Sequence, residues 1–388
     1  MSSNKNIPQL RFPGFTGEWE EKPLSSFLHE HKTKSDGKCE VHSVSVTKGV
    51  VNQVEYLGRS FAAADTSKYN LVKPNDIIYT KSPTGAFPYG IVKQNKNPYN
   101  VIVSPLYAVY SPVNKYVGYI LDSYFESPER TNNYLSSLIQ KGAKNTINIT
   151  NDTFISKCMC LPSDPAEQQK IAECLSEIDN LIAAQDEKVE TLKEKKKGMM
   201  QQMFPQKGET TPRLRFPGFE GKWEEKMLGD CFDIGSGRDY KHLGKGDFPV
   251  YGSGGYMCSV NDYLFEGDSA CIGRKGTINN PMLLHGKFWT VDTLFYTYNY
   301  VNTSAYFVYL LFQNIDWMKH NEAGGVPSLS KSIINNIKVY LPFPSEQQKI
   351  AECLSAMDDM IVSESAKLDA LKDHKKGLMQ QLFPQPNK

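Results

Sequence analysis

The decapeptide EQQKIAECLS occurs twice in this chain of 388 residues, at positions 167–176 and 346–355. Ten identical letters at two places in so short a chain indicate an internal duplication, which restricts the fold to one that uses the same unit twice. The segment KEKKKGMMQQMFPQ (193–206) follows the first copy, and KDHKKGLMQQLFPQ (372–385) follows the second at the same offset of 179 residues. The repeat is therefore a tail of about forty residues.

A second repeated block lies upstream of each tail. It reads PQLRFPGFTGEWEEKPL at 8–24 and PRLRFPGFEGKWEEKML at 212–228, an offset of 204 residues. Because 204 exceeds 179 by 25, the enclosed middle segment is 25 residues longer in the first half. The two middle segments share only scattered landmarks, such as NDIIYTK beside GDSACIGRK. We infer one fold that carries two different surfaces.

The repeated tails predict long helices. From Pro165 the first tail has no Gly or Pro before Gly198, and it is rich in Ala, Glu, Lys, Gln and Leu. Its apolar residues recur at alternating spacings of four and three, which is a heptad seam, and the second tail has the same rhythm. The predicted seam residues are Ile171, Leu175, Ile178 and Ile182 in the first tail and Ile350, Leu354, Met357 and Ile361 in the second.

Polar or charged residues interrupt the two seams at matching places. These residues are Gln185 and Lys196 in the first tail and Glu364 and Lys375 in the second. Two long seams in one chain predict that the helices pack on each other as an antiparallel coiled coil. The alternative is that each helix packs on its own globular domain, as most amphipathic helices do.

Composition is that of an ordinary globular protein, with 40% hydrophobic and 22% charged residues. The N-terminus has no apolar signal region, and the longest apolar run, AYFVYLLF (305–312), is far shorter than a bilayer span, so we expect a cytoplasmic protein without membrane contact.

The eight cysteines form no CxxC pair and are expected to be buried and reduced, and CMC (158–160) is too weak a pattern to predict a metal site.

The net charge of +1 argues against a non-specific nucleic-acid binder. The distribution of the charges along the chain is more informative. Between Lys32 and Lys157 there are 15 Lys and Arg against 9 Asp and Glu. The corresponding segment of the second half, 229–341, has 9 against 10. The first middle segment is therefore basic and the second is close to neutral.

Two variable segments that alternate with two near-identical helical tails resemble the specificity subunit of type I restriction–modification systems. The resemblance rests on the LRFPGF and WEE starts, the EQQKIAECL helix starts and the FPQ ends, and it covers essentially the whole chain. It implies an α+β chain with two pseudo-repeated α/β target recognition domains, and strand-like stretches such as NVIVSPLYAVY agree. The implied recognition domains are 1–163 and 207–343, and the implied helical regions are 164–206 and 344–388.

The resemblance also implies function and partners. Each domain would read one half of a bipartite, asymmetric target in double-stranded DNA, and the helices would dock two methyltransferase subunits that work with restriction and translocase subunits. The chain itself would be non-catalytic and would bind no cofactor, because S-adenosylmethionine, ATP and Mg would belong to the partner subunits.

Catalytic motifs were sought and not found in the sequence. The nearest match to the methyltransferase motif NPP[FYW] is NPY at 97–99, and no GxxxxGK[ST] phosphate loop occurs. A self-sufficient methyltransferase is therefore disfavoured, and no catalytic residue is assigned. The remaining alternative is a non-DNA scaffold whose coiled coil carries two protein-binding modules, which the near-neutral total charge favours and the basic first domain disfavours.

The side-chain types indicate candidate DNA contacts. Arg and Lys recognise guanine and phosphate, and Asn and Gln recognise adenine. Basic and amide residues combine with turns and aromatics at 79–99, at 272–280 and just before each helical tail. Exposed basic loops that are merely solvated, and Asn side chains that bind their own backbone, are the structural alternatives. The candidates are Lys81, Lys93, Asn95, Lys96, Asn97, Lys141, Lys144 and Asn145 in the first domain and Arg274, Lys275, Asn279, Asn280 and Lys331 in the second.

Overall fold

The two long helices contribute residues to both of the compact units into which the chain divides. A computed structural model describes residues 6–141 and 147–384. The first unit consists of Met1–Gln185 and Lys367–Lys388, and the second unit is Asp186–Ala366. Each unit therefore combines one variable domain with part of each repeated tail.

The first half of the chain holds short strands and helices that end in one long helix. In chain order the elements are β1 (Glu20–Pro23), β2 (Leu28–Glu30), β3 (His42–Ser45), β4 (Gly49–Asn52), α1 (Gln53–Leu57), β5 (Asn70–Val72), β6 (Ile77–Tyr79), β7 (Val92–Gln94), β8 (Val101–Val103), β9 (Ala108–Pro112), α2 (Lys115–Phe125), α3 (Pro128–Ser136), β10 (Gln140–Lys141), β11 (Ile147–Asn148), α4 (Asn151–Ser156), β12 (Cys158–Leu161) and α5 (Pro165–Met203).

The second half also ends in a long helix. Its elements are β13 (Glu224–Met227), β14 (Asp233–Ser236), β15 (Lys245–Gly252), β16 (Gly255–Val260), β17 (Phe265–Glu266), β18 (Ser269–Gly273), β19 (Met282–Leu284), β20 (Lys287–Thr290), β21 (Leu294–Tyr298), α6 (Ala305–Asn314), α7 (Lys331–Asn335), β22 (Lys338–Leu341) and α8 (Pro344–Leu382). The mixed α/β content and the two long helices match the expectation from the sequence.

Each unit contains a four-stranded antiparallel sheet beneath a helix. The strand order is β2-β9-β6-β7 in the first unit and β14-β21-β18-β19 in the second. All three residues of β6 and all five of β18 are buried, as expected for central strands that read as unbroken runs of small or apolar residues. The helices α2 and α6 cover these sheets, and the side chains of Asn114 and Ser304 cap their N-termini.

An arginine–glutamate fork joins the two repeated sequence blocks within each unit. In the first unit Arg11 Nε and Nη2 donate to Glu167 Oε1 and Oε2 at 2.7 and 2.9 Å. In the second unit Arg215 makes the same two bonds to Glu346, at 2.6 and 2.7 Å. Both carboxylates are buried, so a bidentate guanidinium is needed to compensate their charge. This ion pair explains why Arg and Glu recur at these positions in both halves of the chain.

The repeated tryptophans pack against the repeated helix ends. The ring of Trp19 meets that of Phe383 edge to face, with centroids 6.4 Å apart, and Trp223 meets Phe204 at 5.9 Å. The four side chains are buried. The tryptophans therefore pack the start of each half of the chain against the end of a long helix.

Segments of the two long helices run antiparallel within each unit. In the second unit Lys188 and Lys196 of α5 pair with Glu364 and Asp358 of α8, so rising numbers on one helix meet falling numbers on the other. In the first unit the start of α5 shares a hydrophobic core with Met379 and Leu382 at the end of α8. Antiparallel helix packing is therefore present in both units.

The sequence left open whether the seam residues pack between the two helices or on each helix's own domain. The structure shows that they do both. Ile171 and Leu175 belong to one hydrophobic core with strand and helix residues of the first domain, and Ile350 and Leu354 do the same in the second. Towards the middle of the helices burial declines, because Ile182 and Ile361 are only partly buried. Ile178 and Met357 are buried. The start of each helix is thus built into its own domain as well as paired with the other helix.

Candidate nucleic-acid interface

The candidates between 79 and 99 do not form one surface. Lys93 and Asn95 lie in and just after β7 and are buried. The Asn95 amide donates to the carbonyl of Lys73 at 3.1 Å, and the Asn97 amide donates to the carbonyl of Val50 at 3.1 Å. These two amides bind distant backbone segments, and the local alternative named above is present as well, because the Asn97 N–H donates to Asn95 Oδ1 at 3.2 Å.

Lys96 is directed at the helices. Its Nζ lies 2.8 Å from Asp122 Oδ2 on α2 and 3.9 Å from Asp179 Oδ2 on α5, and it stands 4.2 Å from the centre of the Tyr119 ring. Burial alone would raise the pKa of the Asp122 carboxyl, but the ammonium groups of Lys96 and Lys93, together with hydrogen bonds from Lys96 and the Gln94 N–H, lower it. Lys96 therefore acts as the counterion of a buried carboxylate, although its side chain is 47% exposed.

Lys81 lies apart from these residues, directly after β6, and is exposed. It lines a cavity of about 330 Å³ together with Lys32 and Lys34. Sequence reasoning missed Lys32 and Lys34, because no pattern links them to a residue almost fifty positions downstream. The available signal was the alternation of lysines in HKTK, which places both on one side of an extended segment.

The candidates before the first helical tail cannot be placed. Lys144 and Asn145 lie outside the described residues. The backbone of Lys141 pairs with Ile147 in the β10–β11 ladder, but its side chain lies outside the described part of the chain. These three residues stay sequence predictions.

In the second domain Arg274 and Lys275 sit on an exposed loop after β18 that other loops hold in place. The Arg274 N–H donates to the Thr293 carbonyl at 2.8 Å, and the Arg274 carbonyl accepts from Leu329 at 2.9 Å. The loop begins at Gly273, where a Cβ would stand 2.0 Å from the Thr277 carbonyl oxygen, so only glycine allows this tight turn. The backbone of the loop is fixed while its basic side chains remain exposed.

Neighbouring loops extend this surface. The Ser253 hydroxyl, in the turn between β15 and β16, donates to the Lys275 carbonyl at 2.8 Å. Next along the chain, Tyr256 and Met257 at the start of β16 are 62% and 50% exposed, and exposed aromatic and apolar side chains suit stacking or groove contacts with nucleic acid. Sequence reasoning did not single out either residue. Asn279 and Asn280 are also exposed, beyond the buried anchor Ile278.

The Lys331 side chain contacts two strands of the second domain. Its Nζ donates to the Ile234 carbonyl at 2.7 Å and lies 5.9 Å from the centre of the Phe295 ring. The side chain is partly buried at the first turn of α7. The structure thus places Lys331 against β14 and β21, whereas Arg274, Lys275, Asn279 and Asn280 share the exposed loop.

The described residues contain no group of three or more His, Cys, Asp or Glu side chains placed to hold a metal ion. Over the same residues, none of the helices combines the length and the apolar character needed to cross a membrane. All eight cysteines are free, but only Cys231 and Cys271 are buried, where burial raises the pKa of each thiol, to about 11 and about 12. The expectation that the thiols are generally buried is wrong, since Cys158 is exposed and the other five are partly exposed.

Known proteins resemble this chain in sequence and in fold. A family model described as Type I restriction modification DNA specificity domain matches residues 220–373. The MjaVIII specificity subunit of a type I restriction enzyme from Methanocaldococcus jannaschii is 32% identical over 125 residues, which is 31% of this chain and 27% of that protein. A putative MjaX specificity subunit from the same organism is 25% identical over 58% of this chain and 59% of its own length.

A crystal structure of a type I restriction–modification S subunit from M. genitalium aligns with 98% of this chain and 100% of its own, with a TM-score of 0.64 and 18% identity, which establishes a shared fold. The chain spans between about a quarter and three fifths of the curated relatives that it matches. These findings agree with the resemblance seen in the sequence: residues 220–373 match the model of a type I restriction modification DNA specificity domain, and the chain shares the fold of the solved S subunit.

Proposed function

We propose that this chain is the non-catalytic subunit that gives a type I restriction–modification complex its DNA specificity. It reads a bipartite, asymmetric target in double-stranded DNA, one half with each variable domain. The observation that carries the proposal is the contrast between two repeated helical tails, which begin with the same ten residues, and two domains whose exposed loops differ. Repeated tails suit two copies of one partner, and different loops suit different half-sites.

The two long helices set the gap between the half-sites by packing as an antiparallel coiled coil along their whole length. Support comes from the antiparallel ion pairs and shared cores within each unit. Two reading domains joined by such helices suit a duplex whose two target segments lie a set number of base pairs apart. A change in the number of helical residues between the domains should alter the gap and leave both half-sites unchanged.

The helices also dock two methyltransferase subunits. The buried repeated residues have structural causes, but Lys170 and Lys349 occupy matching exposed positions that folding alone does not require. Leu181 and Met360 also match between the tails and are 58% and 47% exposed, which provides an apolar anchor at the same place in each. L181D should remove one methyltransferase copy from the purified complex and M360D the other, as read from the complex mass by light scattering.

In this assembly S-adenosylmethionine, ATP and Mg are used by the methyltransferase and the restriction and translocase subunits, and this chain binds none of them. Tight, stoichiometric binding of S-adenosylmethionine to the isolated chain would contradict this assignment.

The proposal is tested by selecting DNA on the chain purified with its methyltransferase. A duplex library with thirty or more randomised base pairs should yield one motif with two defined halves and an undefined gap of constant length. Selection of a single contiguous motif, or of none, would favour the scaffold alternative, in which the helices carry two protein-binding modules.

A further inference from the structure

The cavity beside Lys81 is built by backbone pairing in the first domain. The segment that follows β2 runs between two strands: the His31 N–H donates to the Val109 carbonyl at 3.1 Å, and the Thr33 carbonyl accepts from Leu71 at 2.9 Å. Lys32 and Lys34, two residues apart, reach the cavity from this segment, and Lys81 reaches it from the end of β6. Lysines from two segments almost fifty positions apart in the sequence therefore line one cavity, whose walls are held by strand pairing.

The positive charge of the cavity is incompletely compensated. Among the described lining residues Glu30 is the one carboxylate, and its Oε2 lies 3.9 Å from Lys32 Nζ. Lys34 Nζ donates to the neutral Asn70 amide oxygen at 2.6 Å. Partial burial lowers the pKa of the Lys81 ammonium, and Glu30 only partly offsets this effect. An anion in the cavity would supply the missing charge.

The position of the cavity favours a large anion. At its rim Lys32 and Leu106 are 79% and 75% exposed, so the opening is accessible to a macromolecule. The domain around it carries 15 basic against 9 acidic residues between Lys32 and Lys157. Lysine contacts a phosphate as a point charge without reading sequence, and such contacts fix the register of a protein on a duplex.

We propose that Lys32, Lys34 and Lys81 bind a backbone phosphate of duplex DNA in this cavity and position the first domain on its half-site. The inference rests on the proposed function and deepens it. It assigns Lys81 to phosphate binding, and it adds two lysines that the sequence did not single out.

The test uses the full chain and a fluorescein-labelled 30-bp duplex that carries the selected split motif, with binding measured between about 50 and 200 mM salt. The triple variant K32Q/K34Q/K81Q is compared with K38Q/K48Q/K68Q, which removes three exposed lysines of the same domain that do not line the cavity. We expect the cavity variant to bind at least tenfold more weakly at about 0.1 M salt and its log–log salt slope to fall by about 1, because one fewer phosphate is neutralised and fewer counterions are released. The control variant should change each quantity by less than half as much.

Cavity and control variants with equal losses would overturn the cavity proposal and leave the proposed function standing. Failure of the unmodified chain to bind any duplex, including the selected split motif, would overturn both. A titration with inorganic phosphate tests the other ligand of the same chemistry, which is a free phosphate ion. If the cavity variant loses saturable phosphate binding but keeps full DNA affinity, the cavity is a free-anion site and the DNA assignment is wrong.

Discussion

Lys196 and Asp358 form a largely buried ion pair in the second unit, with Lys196 Nζ 2.6 Å from Asp358 Oδ1. The Tyr306 hydroxyl donates to the other oxygen of Asp358 at 2.7 Å. The same three residue types recur in the first unit, where Lys375 Nζ lies 2.6 Å from Asp179 Oδ1 and the Tyr119 hydroxyl donates to Asp179 Oδ2 at 2.6 Å. The lysines that interrupt the heptad seams therefore join the two helices to a helix of the adjacent domain.

Replacing Lys196 with Met should destabilise the second unit, because Asp358 loses its cation. We expect a cost of about 1–3 kcal/mol, below that of a fully buried pair since the Asp358 side chain is 34% exposed. The thermal unfolding midpoint should fall by several degrees. The neighbouring exposed Lys197 provides the control K197M, and equal midpoints for the two variants would show that the ion pair is not stabilising. The double variant K196M/D358L should recover part of the loss.

Replacing Arg215 with Met should cost about 3 kcal/mol or more, because it leaves the buried Glu346 carboxylate without its bidentate partner. Arg213, two residues away, pairs with Glu209 at an exposed site and offers a matched control. R213M should leave the urea unfolding curve almost unchanged. A similar small effect for R215M would mean that the repeated fork does not hold the domain to the start of α8.

Acid stability of the first unit should depend on Lys96. Folding lowers the pKa of the Asp122 carboxyl, so the ionised group contributes stability above its unfolded pKa of about 3.9, and this contribution is lost as the pH falls through the lower folded value. K96Q removes the nearest cation and should move acid unfolding to higher pH, as followed by circular dichroism. K48Q, which removes an exposed lysine of the same domain, should leave the transition in place. An unchanged transition in K96Q would contradict the assigned role.

The double variant R274Q/K275Q should relax one half of the recognised motif and leave the other half intact. The physical reason is that these exposed side chains sit on a rigid loop of the second domain, and each good bidentate base contact contributes about 1–3 kcal/mol of discrimination. The measurement is DNA selection on the complex. Uniform weakening with both halves retained would mean that the loop contacts phosphates.

Asn95 should behave in the opposite way. N95A removes a fully buried amide that supports the Lys73 carbonyl, so it should lower the unfolding temperature by several degrees and leave both half-sites unchanged at a temperature where the variant is folded. Altered base preference in N95A would restore Asn95 as a reader.

Sequence periodicity was sufficient to predict the long helices, because the heptad rhythm and the absence of Gly and Pro are local signals. It also placed Leu175 and Leu354 inside, where both are fully buried. The site was less predictable. The residue types in Lys93, Asn95 and Lys96 suit DNA, but whether a polar side chain faces solvent or a buried partner depends on contacts such as Asp122, which lies far along the chain. The grouping of Lys32 and Lys34 with Lys81 likewise arises only from strand pairing.

If this chain supplies DNA specificity, methylation of one split DNA sequence depends on it. The measurement is single-molecule methylation mapping of genomic DNA, in cells with and without the gene for this chain and with the cognate methyltransferase present in both. Removing the gene should abolish methyladenine in both halves of one bipartite motif and leave all other motifs unchanged. An unaltered methylation pattern, in cells where the complex is shown to assemble, would contradict it.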